Sequence, residues 1–335
     1  MISAISIILL SNFFIVFYFK RISKFINIFD IPNDNRKLHK VKVANVGGLI
    51  FFFNINIIII FHYLGIINLV NNVFFLNNFQ LIIFFIISGL FFFIGLYDDK
   101  FGISPMKKLF LIIFLTFLYS IFDNSILIQR LFFTNSFSIF LNSFSIFFTI
   151  LCFCLFINAF NMFDGINLQS VSYYFFFLIF LTYLFGYNFI FLILIISCLI
   201  FLYLNYKNLS FLGNSGSIYL SFILCVFVTK YNSHINYILF SDQIFLLMAI
   251  PGLELLRLAI FRILNKKHPF KPDKNHLHHL LLTNFGYINT FIIIQLIIII
   301  PNILGFYFNL VPLFCFVIFI VYFWLIYFFR KAAKF

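Results

Sequence analysis

Two adjacent carboxylates, Asp98 and Asp99, stand with Lys100 at the point where a long apolar stretch of the chain ends. The chain has only 9 acidic residues in 335, so an adjacent pair at the edge of a membrane span is unusual. Neighbouring carboxylates repel each other unless water or a cation is close, and at the end of a helix they also oppose the helix dipole. The pair is therefore predicted to hold a divalent metal ion beside a phosphate group.

The composition indicates where this pair is positioned. Hydrophobic residues make up 64% of the chain and charged residues 9%, which excludes an ordinary soluble domain. Apolar stretches recur at about the length that a membrane helix requires. The expected fold is an all-α polytopic membrane protein with 10 or 11 transmembrane helices and a single membrane domain over residues 1–335. Eleven spans are predicted, at residues 3–19, 48–66, 79–97, 108–122, 137–157, 171–187, 188–206, 217–229, 242–262, 287–304 and 306–329.

The positive charges are distributed unevenly between the two sides of these spans. Of the 22 Lys and Arg residues, 20 fall on one side, and only Arg130 and Lys230 fall on the other. Basic loops stay in the cytoplasm, so this asymmetry predicts that the basic side, with the C-terminal tail, is cytoplasmic. The same asymmetry explains the net charge of +13 without a nucleic-acid partner.

Five inner loops carry the polar residues, and the first of them spans residues 30–48. It supplies Arg36, Lys37, His39 and Lys42 as donors to phosphate oxygens and ends in a glycine pair. A plain topology signal would need cations but neither His39 nor the glycines. A phosphate-binding loop is therefore favoured over a topology signal.

The third inner loop contains no Lys or Arg, so topology does not explain it. Asn158, Asn161 and Asp164 recur every three residues and share one helical face, which suits a base edge, a sugar hydroxyl or a metal ion. In the fourth loop, residues 213–217 contain two glycines and two serines before a helix. That pattern fits either a helix cap or an anion-binding nest.

The fifth inner loop begins at His268, contains a cluster of three further histidines, His276, His278 and His279, and follows Arg257 on the preceding span. Three histidines suit a transition metal, or they donate to phosphate oxygens. The phosphate role is favoured because a hard metal ion is expected at the aspartate pair. Together the five loops suit phosphoryl transfer between a water-soluble nucleotide and a lipid.

The order and spacing of these motifs resemble the polyprenyl-phosphate N-acetylhexosamine-1-phosphate transferases, the family of WecA, TagO and MraY. The resemblance is carried by the 30–48 loop, Tyr97-Asp98-Asp99, residues 158–165, residues 211–217, and the Pro269 to His279 segment. The last segment is similar to the WecA/TagO branch. The resemblance covers nearly the whole chain.

The resemblance implies a reaction. A UDP-N-acetylhexosamine, most often UDP-GlcNAc, gives its sugar-1-phosphate to undecaprenyl phosphate and UMP leaves, either directly or through a covalent enzyme intermediate. This is the first membrane step of cell-envelope polysaccharides such as the O-antigen of lipopolysaccharide. It also implies Mg²⁺ or Mn²⁺ as cofactor and a multi-pass protein of the bacterial inner membrane whose active site faces the cytoplasm. The choice between a monomer and a homodimer stays open.

The resemblance also implies roles for individual residues. The catalytic set is Asp98, Asp99, Asp164 and His279. The metal ligands are Asp98, Asp99, Asp164 and Asn214. The substrate-binding residues are Arg36, Lys37, His39, Lys42, Asn158, Asn161, Asn167, Arg257, His276 and His278.

The chain departs from the family pattern at three positions. Asn167 and Asn214 stand where the family usually has Asp, and Glu254 stands where it has another Asp. An amide oxygen still binds Mg²⁺ but carries no charge, so a weakened metal site is expected. The alternative is a homologue that binds nucleotide or lipid without catalysing transfer.

Overall fold

The computed structural model describes residues 2–32, 41–70, 74–232, 239–269 and 273–332. These residues form eleven α-helices and two short antiparallel strand pairs. The helices are α1 Ile2–Ile26, α2 Gly48–Tyr63, α3 Asn78–Phe101, α4 Pro105–Phe122, α5 Ser145–Phe163, α6 Gln169–Phe185, α7 Phe189–Tyr206, α8 Gly213–Asn232, α9 Ser241–Leu264, α10 Leu277–Tyr307 and α11 Val311–Ala332. The strands are β1 Phe29–Asp30, β2 Val43–Ala44, β3 Arg130–Phe132 and β4 Ser138–Phe140.

Eight of the helices in this described part are long and apolar enough to cross a membrane, and α2 and α6 are shorter apolar helices. The predicted all-α polytopic fold is confirmed. One predicted span was wrong in its bounds. The span 137–157 was placed too early, because Ser138–Phe140 pairs with Arg130–Phe132 as a hairpin and the helix begins at Ser145. The span 287–304 agrees with the part of α10 that follows Gly286, whose φ of +70° breaks the helix, and the part of α10 from Leu277 to this break was predicted as a loop.

Helix α8 lies at the centre of the bundle. Every residue from Ser215 to Tyr231 is buried. Its first turn is approached closely by α2 and α3, because a Cβ at Gly48 would lie 2.5 Å from the Gly216 nitrogen and a Cβ at Gly95 would lie 2.5 Å from the Ser215 Cα. Only residues without a side chain permit two neighbouring helices to come this near to α8.

Helices α3 and α8 run antiparallel, and a buried ion pair joins them at one end of the bundle, here called the far end. The Lys230 ammonium of α8 donates to the Asp123 carboxylate at 2.6 Å, and both side chains are at most 1% exposed. Gln80 of α3 donates to the same carboxylate at 3.2 Å. Lys230 also donates to the backbone carbonyl of Phe74 at 2.6 Å. The far end is thereby fixed by charge as well as by packing.

The middle of the bundle contains a second polar contact. Asn12 of α1 and Asn54 of α2 exchange side-chain hydrogen bonds of 2.8 and 3.1 Å, and Asn54 donates to Ser197 of α7 at 2.7 Å. Amide pairs of this kind stabilise helix association where water is absent. They hold α1, which is otherwise largely exposed, against the bundle.

Replacement of Lys230 by Met is expected to lower the free energy of unfolding by about 3–5 kcal/mol, because it leaves the Asp123 carboxylate buried and unpaired. The measurement is denaturant unfolding of the detergent-solubilised protein. The double variant Lys230→Met/Asp123→Asn removes both charges and should recover part of the loss. A single-variant loss of less than about 1 kcal/mol, the value for an exposed pair, would contradict the proposed burial of the charge.

Candidate active site

The Asp99 carboxylate caps the N-terminus of α8 at the other end of the bundle, here called the site end. Its Oδ1 accepts hydrogen bonds from the Asn214 backbone nitrogen at 2.8 Å and from the Asn214 and Asn45 side-chain amides at 3.1 and 2.9 Å. Its Oδ2 accepts from the Ser215 backbone nitrogen at 2.9 Å. Free N–H groups and the helix dipole favour an anion at this position. Of the two alternatives for residues 213–217, a helix cap or an anion-binding nest, the structure shows a helix start whose N–H groups bind a carboxylate of the chain itself.

Backbone hydrogen bonds bring the first and fourth inner loops to the same point. Phe211 donates to the Ala44 carbonyl at 2.8 Å, and Gly47 donates to the Phe211 carbonyl at 2.9 Å. Gly213 has φ +75°, and a Cβ on it would lie 2.6 Å from the Asp99 Oδ2. Glycine is required there by both the backbone conformation and the space. This pairing delivers Asn45 to Asp99.

Asp98 points to a different partner from its neighbour. The Lys108 ammonium donates to Asp98 Oδ2 at 2.6 Å, and the Ile103 backbone nitrogen donates to Oδ1 at 2.7 Å. Lys108 also lies 3.4 Å from the Asn214 Oδ1. Its side chain is only 16% exposed and that of Asp98 only 7%. The sequence alone did not identify Lys108, since it is one of two adjacent lysines in a basic loop.

The third inner loop contributes Asn161 and Asp164. Ser217 of α8 donates to the Asn161 side-chain oxygen at 2.6 Å. Asp164 accepts from the Ser170 hydroxyl. Burial raises the pKa of the Asp164 carboxyl to about 6; the Ser170 hydrogen bond opposes this and the negative charge of Asp99 adds to it. Two carboxylates that repel each other in a buried site favour a positively charged ligand.

The other two amides of this loop are engaged elsewhere. The Asn158 amide donates back to the Cys154 carbonyl of its own helix at 2.8 Å. The Asn167 amide donates to the Asn208 side-chain oxygen, just after α7, at 2.6 Å and to the carbonyl of Asn205, near the end of α7, at 3.2 Å. The predicted face of three polar residues is therefore represented by Asn161 and Asp164, whereas Asn158 and Asn167 bond to the protein's own backbone and loops.

The histidine loop packs directly on the third loop. A Cβ added to Gly165 would overlap the His278 ring, so the glycine is what allows this ring to pack against the residue that follows Asp164. The rings of His278 and His279 are 4.4 Å apart between centroids, and those of His276 and His278 are 5.2 Å apart. The third-loop motif at the end of α5 and the histidine motif at the start of α10 are therefore in contact.

A buried network positions the histidine loop. Arg257 donates to both Glu254 oxygens at 3.0 Å, to the Asn275 carbonyl at 2.7 Å, and through Nε to the Tyr322 hydroxyl at 2.7 Å. Glu254 accepts from the Leu277 nitrogen at 2.9 Å and also from Tyr322. The described contacts of Arg257, which was predicted to bind substrate, therefore fix the loop. Tyr322 lies in an apolar helix, and no sequence signal marked it.

A second ion pair holds the start of the same loop. Arg262 donates to Asp273 at 2.8 Å, and the Asn275 nitrogen donates to the other oxygen of this carboxylate at 2.8 Å. Partial burial alone would raise the pKa of Asp273, but the Arg262 and Asn275 hydrogen bonds outweigh it and the pKa is lowered. Asp273 is thus kept ionised.

The phosphate loop predicted from the sequence is described only in part. Arg36, Lys37 and His39 lie outside the described residues. Lys42 is exposed, and its ammonium lies 5.3 Å from the centre of the Phe29 ring. Its role in phosphate binding stays a prediction.

Residues 81–232 match the family model of glycosyl transferase family 4. The matched segment runs from α3 to the end of α8 and contains Asp98, Asp99, Asp164 and Asn214. The family resemblance inferred from the motifs is confirmed.

Two relatives are each named an undecaprenyl-phosphate alpha-N-acetylglucosaminyl 1-phosphate transferase. The one from Thermotoga maritima is 28% identical over 299 residues, which are 88% of this chain and 86% of the relative. The one from Escherichia coli O157:H7 is 26% identical over 289 residues, which are 83% of this chain and 75% of the relative. The similarity thus extends well beyond the matched family segment.

The four residues expected to bind the metal ion do not form a ready-made metal site. In the part of the chain that the structure describes, no group of three His, Cys, Asp or Glu residues is arranged to hold a metal ion. The Asp98 carboxylate is paired with an ammonium, and both Asp99 oxygens accept N–H donors. Asp164 also uses one oxygen for Ser170. A resident metal ion therefore does not fit this arrangement of the four side chains.

Replacement of Gly165 by Ala is expected to lower the free energy of unfolding by about 1–3 kcal/mol, because the added methyl group forces the His278 ring to move. Gly252→Ala is the matched control, since a Cβ on that α9 residue meets nothing within 4 Å. The control should be neutral or stabilising by up to about 1 kcal/mol, because Ala favours the helix. Equal denaturant midpoints for the two variants would argue against the Gly165–His278 contact.

Proposed function

We propose that this protein transfers N-acetylhexosamine-1-phosphate from a UDP-sugar to undecaprenyl phosphate, with GlcNAc as the favoured sugar, and releases UMP. One observation carries the proposal: at the site end, Asp99 bonds to Asn45 and Asn214, while Gly165 packs on His278. These three contacts unite stretches that lie far apart in the sequence. The names of the relatives, which specify an undecaprenyl-phosphate substrate, support the same assignment.

The bond changes set what the site must supply. An oxygen of the lipid phosphate attacks the phosphorus that carries the sugar, a new phosphoanhydride bond forms, and the bond from this phosphorus to the UMP oxygen breaks. The leaving UMP takes the electron pair. The negative charge on the transferring group and on UMP needs preorganised positive or N–H donors. Among the described residues, Lys108 and the histidines are able to provide such donors.

Lys108 is proposed to bind the lipid phosphate, and Asp98 is proposed to hold Lys108 in place. Both Asp98 oxygens already accept hydrogen bonds, from Lys108 and from the Ile103 nitrogen. A carboxylate in that state orients a cation and is a poor nucleophile. This favours direct attack by the lipid phosphate over a covalent intermediate on Asp98.

His276, His278 and His279 are proposed to contact the diphosphate of the UDP-sugar. His278 packs on Gly165, and the Glu254–Arg257 network fixes the loop that carries all three histidines. The N–H group of a neutral imidazole donates a hydrogen bond to a phosphate oxygen without adding a positive charge to the site. Asp164 and Asn161 then lie on the sugar or nucleotide side of the same site.

The protein is proposed to lie in the bacterial inner membrane with the site end facing the cytoplasm. The asymmetry of Lys and Arg residues supports this orientation. A UDP-sugar is made in the cytoplasm and undecaprenyl phosphate is anchored in the bilayer. A site at the membrane edge would meet both.

The deciding experiment measures UMP release by the purified protein in lipid with undecaprenyl phosphate and a panel of UDP-sugars. UDP-GlcNAc is expected to give the highest rate, and Asp98→Asn is expected to abolish turnover. The Mg²⁺ or Mn²⁺ requirement implied by the resemblance stays a prediction, so each ion and a chelator are included. Absence of turnover under every condition, with folded protein, would refute the transferase assignment and favour the inactive homologue.

The pH dependence of this reaction tests the role of Asp164. The raised pKa means that Asp164 takes up its proton as the pH falls through about 6, so the rate should fall on that side. Ser170→Ala removes a hydrogen bond that stabilises the carboxylate, and the acidic limb should move up by about 1 pH unit, since one such bond contributes about 1–2 kcal/mol. Ser172→Ala on the same helix is the control. An acidic limb that is identical in both variants would exclude Asp164 from the rate.

A further inference from the structure

The position between Asp98 and Asn214 is occupied by an ammonium group of the chain. The Lys108 Nζ lies 2.6 Å from Asp98 Oδ2 and 3.4 Å from Asn214 Oδ1. We infer that Lys108 is the resident cation of this part of the site and supplies there the positive charge that a divalent metal ion would otherwise supply. The use of this charge in catalysis rests on the proposed function, whereas the identity of the cation does not.

The surroundings of Lys108 favour a permanent ion pair over a loose surface contact. Its side chain is 16% exposed and the Asp98 side chain 7%. Lys108 lies in the first turn of α4, which begins at Pro105. The Ile103 nitrogen, in the turn just before that helix, bonds to the same carboxylate. The turn between α3 and α4 thus folds the lysine back onto the end of α3.

Asn214 is the residue that makes this arrangement consistent. Its amide has two ends, and they serve opposite neighbours: the Nδ2 group donates to Asp99 at 3.1 Å, and the Oδ1 atom faces Lys108. A carboxylate at position 214 would place an oxygen where Nδ2 meets Asp99, and two anions would then be in contact. Like charges at that distance require a cation between them.

The charge count leads to the same conclusion. Asp98, Asp99 and Lys108 sum to one negative charge with Asn at position 214, and to two negative charges with Asp there. Asp164 is a further carboxylate of the site, and the negative charge of Asp99 adds to the rise of its pKa. Each substitution that adds negative charge or removes Lys108 should therefore increase the demand for an external cation. With Asn at position 214 and Lys at position 108, the site therefore needs less positive charge from an external cation.

The test measures binding of Mn²⁺ alone to the purified protein in nanodiscs by electron paramagnetic resonance, without nucleotide or lipid substrate. Wild-type protein is expected to bind Mn²⁺ weakly. Lys108→Met and Asn214→Asp should each increase the affinity at least about tenfold, because each raises the net negative charge by one. Lys107→Met is the matched control, since this neighbouring side chain is exposed, and should leave Mn²⁺ binding unchanged.

Lys108→Arg keeps the charge and should bind Mn²⁺ as weakly as wild type, which keeps the test decisive if Lys108→Met fails to fold. Tight binding of one Mn²⁺ by wild-type protein, or no gain in either Lys108→Met or Asn214→Asp, would overturn the inference. The outcome is separate from the transfer assay. Weak wild-type binding with gain in the variants supports Lys108 as the resident cation even if no UMP is released, and tight wild-type binding overturns it even if transfer occurs.

Discussion

The capping of α8 by Asp99 is the interaction on which the rest of the site depends. Four N–H donors, one from the loop that carries Asn45 and three from the first turn of α8, converge on one carboxylate of α3. The interaction is strong because a helix N-terminus has unpaired N–H groups and a positive dipole end, and because the site is mostly shielded from water. It fixes Asn214, and Asn214 in turn faces Lys108. The position of a charged group in the site thus follows from a helix cap.

Adjacent residues on a helix point in directions about 100° apart, and this separates the roles of the two neighbouring aspartates. Asp99 faces inward to α8, whereas Asp98 faces the turn before α4 and its lysine. Of these two adjacent aspartates, Asp99 therefore has a structural role and Asp98 holds a cation. From the sequence, both were predicted to be metal ligands, because spacing alone does not show which donors surround each carboxylate.

Much of the architecture was accessible from the sequence because hydrophobic length and charge asymmetry are strong signals in a membrane protein. The eleven helices and the meeting of the aspartate, asparagine and histidine motifs were predicted in this way. The β3–β4 hairpin was missed because its strands contain apolar residues that also suit a membrane span. Tyr322, Lys108 and Asn45 were missed because their importance comes from neighbours distant in the chain. The roles of Asn158 and Asn167 depend on which carbonyl is nearest, which no periodicity reveals.

Polar contacts join α3 and α8 at both ends of the bundle, so the length of each helix between these contacts is fixed. On α3 the contacting residues are Gln80 and Asp99, which are separated by about 28 Å along the helix axis. On α8 they are Lys230 and Asn214, which are separated by about 24 Å. Because both ends are fixed by directional bonds, a one-residue insertion or deletion within either helix would rotate one end away from its partners. Change of length in this part of the molecule is therefore constrained more strictly than change of side chain.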